Sequence, residues 1–254
     1  MVTPRPKKSK AQGRSRPKTT TSLRITRSLK SRAVEVLDLL DERYPAAETE
    51  LDYRNHFELI IAVILSAQCT DVRVNLVTPA LFAAYPDASS LAKASAEQVE
   101  PFIKTCGLFR SKARNIVKCA KDLCELHDGK VPSDRRSLEA LAGVGRKTAN
   151  VVLSNAFKTD AIAVDTHVYR LARKLGLSRA NSATAVERDL MAVLPQERWN
   201  KAHHTLIWHG RRCCKARKPE CPLCPVAELC PSQETYPDEI HAKMLAAAAR
   251  RERP

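Results

Sequence analysis

The stretch LAGVGRKTANVV, Leu141–Val152, places two glycines, an arginine and a lysine inside an otherwise apolar run. With its flanking residues it predicts a helix, a tight glycine turn and a second helix. Gly143 and Gly145 permit backbone torsions and close approach that a side chain would block. The second helix begins near Gly145 or Arg146, where free N–H groups, the helix dipole and two cations form a site for a phosphate. An ordinary turn with basic surface residues fits the same letters, so both interpretations stay open.

Lys147 needs a second explanation, because Arg146 already supplies a cation for a phosphate. The neutral amine of a lysine is a nucleophile and can form a Schiff base with a sugar carbon. That chemistry needs a partner that relays protons and stabilises a cationic sugar, and Asp165, in an apolar run ahead of His167, is the candidate. A helix N-cap is the simpler interpretation of Asp165, and packing is the simpler interpretation of His167.

The charge of the whole chain favours a polyanionic partner. Its 254 residues carry a formal net charge of +15, of which residues 1–32 hold +11. Nucleic acid is therefore the first candidate partner and an anionic membrane surface the second. No apolar run approaches the ~18 residues of a membrane span. Of the two candidate partners we expect DNA and not a membrane. No apolar segment follows the basic start, so we expect no secretion signal and a cytoplasmic, nucleoid-associated protein if the source is bacterial.

The first 27 residues are rich in Lys, Arg, Pro, Ser and Thr, and we expect a disordered basic tail. This tail either adds sequence-independent phosphate contacts or serves only solubility. An organelle transit peptide is a third interpretation, which the clustered lysines and prolines fit badly.

From about residue 28 onward the pattern is helical. The chain has only seven glycines, and no two-residue alternation is sustained. Ser95 with Gln98 and Thr184 with Glu187 have the spacing of a capping box. We therefore predict an all-α fold of about ten short helices.

Four of the nine cysteines form a compact loop, with the spacing C-x6-C-x2-C-x5-C: Cys214, Cys221, Cys224 and Cys230. Without a secretion signal, a disulfide framework is not expected, and four thiolates so close together suit a metal. Structural zinc sites usually pair two knuckles across a longer spacer, whereas one loop also suits an iron–sulfur cluster, so the spacing leaves both open. Cys213 is a rival for the first ligand. Four other cysteines resemble small buried apolar residues: Cys69, Cys106, Cys119 and Cys124.

Five segments together resemble the endonuclease III family. They are LSAQCTDVRVN, IKTCGLFRSKA, LAGVGRKTANVVL, AIAVDTHVYR and HGRRCCKARKPECPLCPVAELC, and the resemblance covers residues from about 30 to about 235. It implies an iron–sulfur DNA glycosylase with AP-lyase activity, acting as a monomer on damaged double-stranded DNA. The fold that it implies has two helical lobes, a helix-hairpin-helix motif and a C-terminal 4Fe-4S cluster loop.

The resemblance also implies roles for individual residues. Lys147 matches the nucleophile that attacks C1′ of the damaged nucleoside, and Asp165 matches the aspartate that assists it. Gln68 and Leu108 match residues that fill the gap left by a flipped base, and His167 supports the lesion pocket. The cysteines Cys214, Cys221, Cys224 and Cys230 match the ligands of a 4Fe-4S cluster. Further DNA contacts are expected from Gly143, Gly145, Arg146, Arg211, Arg212, Lys215, Arg217 and Lys218.

The expected domain organisation follows the same resemblance. Residues 28–48 and 160–238 would form the cluster domain, residues 49–159 the helical domain with the hairpin, and residues 1–27 and 239–254 the two tails. Three residues depart from the family pattern: Ala142 replaces a usual proline, Cys69 a small alanine or serine, and Phe109 a frequent tyrosine.

The leading hypothesis is a bifunctional glycosylase that removes oxidised pyrimidines such as thymine glycol and cleaves the strand by β-elimination. The alternative is a non-catalytic or weakly active DNA-binding protein, against which only Lys147 with Asp165 argues. A zinc-based DNA-binding module is a third option.

Overall fold

The computed structural model describes residues 23–234, which form eleven α-helices, two 3-10 turns and no strand. The helices are α1 (Arg27–Arg43), α2 (His56–Leu65), α3 (Asp71–Ala84), α4 (Ala88–Ala92), α5 (Ala96–Ile103), α6 (Phe109–His127), α7 (Arg135–Ala140), α8 (Arg146–Ala156), α9 (Thr166–Lys174), α10 (Ala183–Val193) and α11 (Trp199–Arg212). The 3-10 turns are Gln196–Arg198 and Cys221–Leu223. The all-α prediction is confirmed. The tail predictions for residues 1–22 and 239–254 fall outside the described residues.

Of the two predicted capping boxes, the structure contains one and lacks the other. Ser95 and Gln98 form the predicted capping box at the start of α5. The capping box predicted at Thr184 and Glu187 is wrong, because α10 begins earlier and Ser182 caps it. Glu187 instead points inward from the second turn of α10, where it is almost fully buried.

Two hydrophobic cores organise the described residues. The first core includes α2, in which every residue from Phe57 to Leu65 is buried. A helix buried on all sides lies at the centre of its core, and α3–α8 pack around it. The second core joins α1 to α9, α10 and α11. Along the chain, the buried residues pass from the second core to the first between residues 47 and 51, and return to the second core at residues 161–162. The domain division expected from the sequence stays a prediction.

The second changeover positions the candidate site. The chain leaves α8 in the first core, runs through the buried residues Ala161–Val164 and begins α9 in the second core. Residues at the start of α8 and at the start of α9 therefore face the same space between the two cores. Within residues 23–234, no helix combines the length and the apolar character that a membrane span requires.

Candidate active site and cluster loop

The turn between α7 and α8 uses its two glycines differently. Gly143 has φ +78°, and a Cβ there would lie 3.0 Å from Asn115 Cβ and 3.2 Å from Ile64 Cγ2. A side chain at this position would meet both backbone strain and a packed neighbour. Gly145 caps α8 without a side-chain hydrogen bond, and a Cβ there would meet nothing within 4 Å. The N-terminus of α8 is thus open to a ligand, as a phosphate site requires.

An open cavity of about 550 Å³ lies between the hairpin and α9. It brings together five of the predicted site residues, together with Cys69 and Asp71: Gln68, Lys147, Asp165, His167 and Arg211. A groove of similar volume runs along α3, but its walls contain neither Lys147 nor Asp165. The cavity that holds the lysine and the carboxylate is therefore the candidate active site.

Asp165 is the N-cap of α9, as the simpler interpretation held. Its Oδ1 accepts a hydrogen bond of 2.8 Å from the Val168 backbone N–H. The same carboxylate lines the cavity with Lys147. Capping and catalysis therefore do not exclude each other, because the capping bond fixes the carboxylate at the cavity wall.

His167 contacts Arg170 on α9 and Gly210 on α11. Its Nδ1 lies 3.3 Å from a guanidinium nitrogen of Arg170. A Cβ on Gly210 would come within 3.0 Å of the same ring nitrogen, so α9 and α11 approach closely here. His167 lines the cavity while packing against α11, which leaves both of its interpretations standing.

Glu187 is a functional candidate that the sequence analysis missed. Its carboxylate accepts hydrogen bonds from Arg146 at 2.8 and 3.0 Å, from Arg135 at 3.2 Å and from Asn150 at 3.1 Å. Burial alone would raise the pKa of Glu187, but the bonds from these three side chains outweigh it and lower the pKa. Asn150 also donates a 2.8 Å bond to the carbonyl of Ile162. Glu187 therefore joins α10 to the hairpin, and Asn150 joins the hairpin to the segment that leads to Asp165.

Several of the predicted DNA-contact cations are engaged within the protein. Arg146 is bound to Glu187. Arg211 pairs with Asp71 at 2.9 Å and with Glu50. Arg212 pairs with Glu50 at 3.1 Å, and its guanidinium lies 3.5 Å from the centre of the Trp208 ring.

The remaining predicted cations lie on the cluster loop. Lys215 pairs with Glu220 at 2.6 Å, whereas Arg217 and Lys218 are exposed to solvent. Phosphate contacts by the whole basic set stay predictions.

Gln68 and Leu108 lie on two short loops that touch each other. Both have left-handed backbone conformations, with φ 52° and 58°, which are costly for residues other than glycine. Leu108 is 63% exposed, so it does not belong to the core. A Cβ on Gly107 would lie 3.4 Å from the Gln68 carbonyl oxygen. The two side chains proposed to enter the duplex thus project from neighbouring, strained loops.

The four predicted ligand cysteines line one small cavity, together with His209 and Cys213. The neighbouring thiol of Cys213 and the ring of His209, whose Nε2 lies 3.6 Å from the Cys224 sulfur, lower the pKa of Cys224 to about 5. A thiolate is the form that binds a metal. Arg170 donates a 2.5 Å bond to the carbonyl of Cys214, which fixes the start of the loop. This donor set of half-buried thiols fits an iron–sulfur cluster.

Cys213 remains close to these ligands. The ligand atoms of His209, Cys213 and Cys224 lie within 4.8 Å of one another. Cys213 is buried, however, and its thiol donates to the carbonyl of Glu220 at 3.6 Å. Distance alone therefore does not decide between Cys213 and Cys214 as the first ligand.

Comparisons with known proteins identify relatives of the whole arrangement. Residues 61–196 match the model of the HhH-GPD superfamily of base excision DNA repair proteins. Residues 214–230 match the iron–sulfur binding domain of endonuclease III. The second match begins at Cys214 and ends at Cys230, the outer two of the four predicted ligands, and leaves Cys213 outside.

Curated relatives and solved structures agree with these matches. The chain is 49% identical to endonuclease III of Synechocystis sp. over 213 residues, which cover 84% of this chain and 97% of the relative. It is 46% identical to endonuclease III of Escherichia coli over 205 residues, with coverages of 81% and 97%. A solved structure of a trapped endonuclease III–DNA covalent intermediate aligns with a TM-score of 0.77 and 47% identity, covering 80% of this chain and 96% of that one.

Proposed function

Because the chain belongs to the endonuclease III family of base excision DNA glycosylases, we propose that it removes oxidised pyrimidines such as thymine glycol from double-stranded DNA and cleaves the strand through a Schiff base on Lys147. The observation that carries this proposal is the cavity shared by Lys147 and Asp165. A protein 47% identical to this chain has been solved as a covalent intermediate with DNA, which supports a covalent route.

The geometry provides a role for each group. The damaged nucleotide leaves the stack, and Gln68 and Leu108, on their exposed loops, fill the gap. The Lys147 amine attacks C1′, and the glycosidic electron pair leaves with the base. The C1′–O4′ bond then breaks, O4′ takes a proton, and a Schiff base forms between C1′ and the lysine nitrogen. The Asp165 carboxylate, held by its capping bond, stabilises the positive charge on the sugar and relays protons. The resulting Schiff base acidifies C2′, and loss of that proton expels the 3′ phosphate.

We propose that Cys214, Cys221, Cys224 and Cys230 would hold the 4Fe-4S cluster that the match to the iron–sulfur binding domain implies, and that the cluster would cross-link the loop when bound. That loop presents Arg217 and Lys218, which we propose contact the DNA backbone. This role requires no redox step. We also propose that the protein acts as a monomer on chromosomal DNA.

Borohydride trapping tests the proposal. Duplexes with one thymine glycol or one abasic site are incubated with the wild type, Lys147→Ala, Asp165→Asn and, as a matched control, Lys121→Ala on the exposed face of α6. Asparagine caps helices as well as aspartate does, so Asp165→Asn removes the charge and keeps the cap. We expect covalent adducts with the wild type and with Lys121→Ala, none with Lys147→Ala, and about 100-fold slower trapping with Asp165→Asn.

Two results would redirect the assignment. An adduct with the abasic site alone would leave the lyase and remove thymine glycol as a substrate. Tight binding to both duplexes without any adduct would instead support the alternative hypothesis of a non-catalytic DNA-binding protein.

A further inference from the structure

Each of the two loops that carry Gln68 and Leu108 also carries a cysteine. Cys69 directly follows Gln68, and Cys106 lies two residues before Leu108. The backbones of the two loops approach each other beside these cysteines, where Gly107 lies against the Gln68 carbonyl, and interaction with Cys69 contributes to the raised pKa of the Cys106 thiol. Two thiols on loops whose backbones lie this close can reach the geometry that a disulfide requires.

The two cysteines differ in access. Cys106 is 1% exposed, whereas Cys69 is partly exposed and lines the cavity that holds Lys147. The interpretation of both as buried apolar residues therefore holds only for Cys106. A small oxidant that enters the cavity meets Cys69, whereas the buried Cys106 does not line the cavity. This is the arrangement of an attacked thiol and a resolving thiol.

A buried cation lies next to the pair. Lys112 is 4% exposed, and its Nζ has no hydrogen-bond partner among residues 23–234. Burial, together with the interaction with Cys69, raises the pKa of Cys106 to about 11, while the charges of Lys112 and Arg73 oppose that rise. Lys112 therefore limits how far burial raises the pKa of the Cys106 thiol.

We propose that Cys69 and Cys106 form a reversible disulfide when a peroxide enters the active-site cavity, and that this disulfide lowers lesion excision. The Cys69 thiolate attacks one peroxide oxygen, the O–O bond breaks, and a sulfenic acid and hydroxide form. The Cys106 sulfur then attacks the Cys69 sulfur, the S–O bond breaks, and water leaves with the Cys106 proton. Two thiols lose two electrons and two protons, and one hydrogen peroxide becomes two waters.

The disulfide changes the position of both loops. An S–S bond is about 2.05 Å long, much shorter than a contact between two thiols, so its formation draws the loops together. A displacement of about 1 Å at a site of chemistry can slow a reaction 100-fold. The effect on excision rests on the proposed function of Gln68 and Leu108, whereas the disulfide itself does not. Reductants of a reducing compartment would restore the open thiols, as in redox-sensing disulfides.

Peptide mapping of the intact, cluster-loaded protein tests the disulfide. After brief treatment with hydrogen peroxide and alkylation, trypsin releases residues 55–73 and residues 105–110, which hold one cysteine each. We expect a cross-linked pair of these peptides that dithiothreitol separates. Cys69→Ser and Cys106→Ser should lose the cross-linked pair. Cys124→Ser, at a cysteine near the end of α6, should keep it. Absence of the pair in oxidised wild type would overturn the proposal.

Excision by the same samples tests the consequence. We expect peroxide to slow thymine glycol excision about ten-fold in the wild type and in Cys124→Ser, with recovery in dithiothreitol. Cys69→Ser and Cys106→Ser should excise at the same rate before and after peroxide treatment. Equal slowing in all four proteins, with loss of the visible absorbance of the cluster, would overturn the regulatory effect. So would a cross-linked protein with unchanged excision. If the wild type forms the disulfide after oxidation but excises no thymine glycol even when it is fully reduced, only the proposed function is refuted.

Discussion

Replacing Glu187 with glutamine tests whether the carboxylate that joins the hairpin to α10 sets the geometry of the active site. Glu187→Gln keeps the shape of the side chain and one oxygen acceptor. It removes the charge that Arg146, Arg135 and Asn150 surround. The arginines are then left facing an amide, and Lys147, the residue after Arg146, loses a fixed neighbour.

The structure sets the size of the expected loss. The Glu187 side chain is 4% exposed, so its charge is desolvated, and breaking a buried ion pair typically costs about 3–5 kcal/mol. Arg146 and Arg135 are 42% and 31% exposed, however, and they can recover hydration when the partner changes. We therefore expect Glu187→Gln to lower the free energy of unfolding by about 2 kcal/mol.

Urea unfolding at neutral pH measures this loss, with Glu125→Gln on the exposed face of α6 as the matched control. The pKa of Glu187 is lowered in the folded protein. Its stabilisation is therefore present above the unfolded pKa of about 4.3 and is lost as the pH falls through the folded pKa. The difference between wild type and Glu187→Gln should shrink in that acidic range.

Single-turnover excision measures the positional effect. Because a shift of Lys147 of about 1 Å is costly, we expect Glu187→Gln to react at least about ten-fold more slowly under saturating enzyme, with DNA affinity less affected. An unfolding free energy within about 0.5 kcal/mol of the wild type, the range of ordinary surface substitutions, together with an unchanged single-turnover rate, would refute the assigned role.

Gly143→Ala should lower the free energy of unfolding by about 1–3 kcal/mol, since φ is positive and Asn115 and Ile64 crowd the added methyl group. Gly145→Ala should keep the free energy of unfolding in urea within about 0.5 kcal/mol of the wild type but weaken DNA binding. Equal unfolding curves for the two variants would contradict this prediction. Burial lowers the pKa of His204 to about 4, so the unfolded chain binds the proton first, and stability should fall by about 3 kcal/mol between pH 6.5 and 4. His204→Phe should flatten that part of the pH profile, and an unchanged slope would exclude His204 as its source. Cys214→Ser should lose the visible absorbance and the iron content of the purified protein, whereas Cys213→Ser should keep both; the reverse pattern would make Cys213 the ligand.

The sequence was sufficient for features that depend on neighbouring residues. The glycine turn, the capping box at Ser95 and the cap at Asp165 each involve groups only a few positions apart. The structure contains all three, although the same local spacing at Thr184 and Glu187 gave a wrong prediction, because it does not fix the residue at which α10 begins. Gly143 goes further, since its need for glycine arises partly from Asn115 and Ile64, which no local pattern reveals.

Contacts between distant residues were beyond the sequence. Glu187 had the spacing of a capping residue, and its true partners, Arg135 and Arg146, precede it by 52 and 41 residues. The proximity of Cys69 and Cys106 likewise arises from the way in which two loops meet. Side chains of this kind are assigned by the fold, because many chain topologies satisfy the same helical pattern.

Several arginines near the cleft form ion pairs within the protein, so phosphate binding alone does not explain why they are there. Arg146, on the hairpin, binds Glu187 on α10, and Arg211, on α11, binds Glu50 and Asp71 of the first lobe. These pairs cross between the lobes that carry Lys147 and Asp165. A fixed distance between nucleophile and carboxylate is worth more to the reaction than one more phosphate contact, because orientation lowers the barrier and uniform binding does not. We therefore propose that the arginines around the cleft act first on the shape of the candidate active site, and that the exposed N-terminus of α8 remains available for a phosphate.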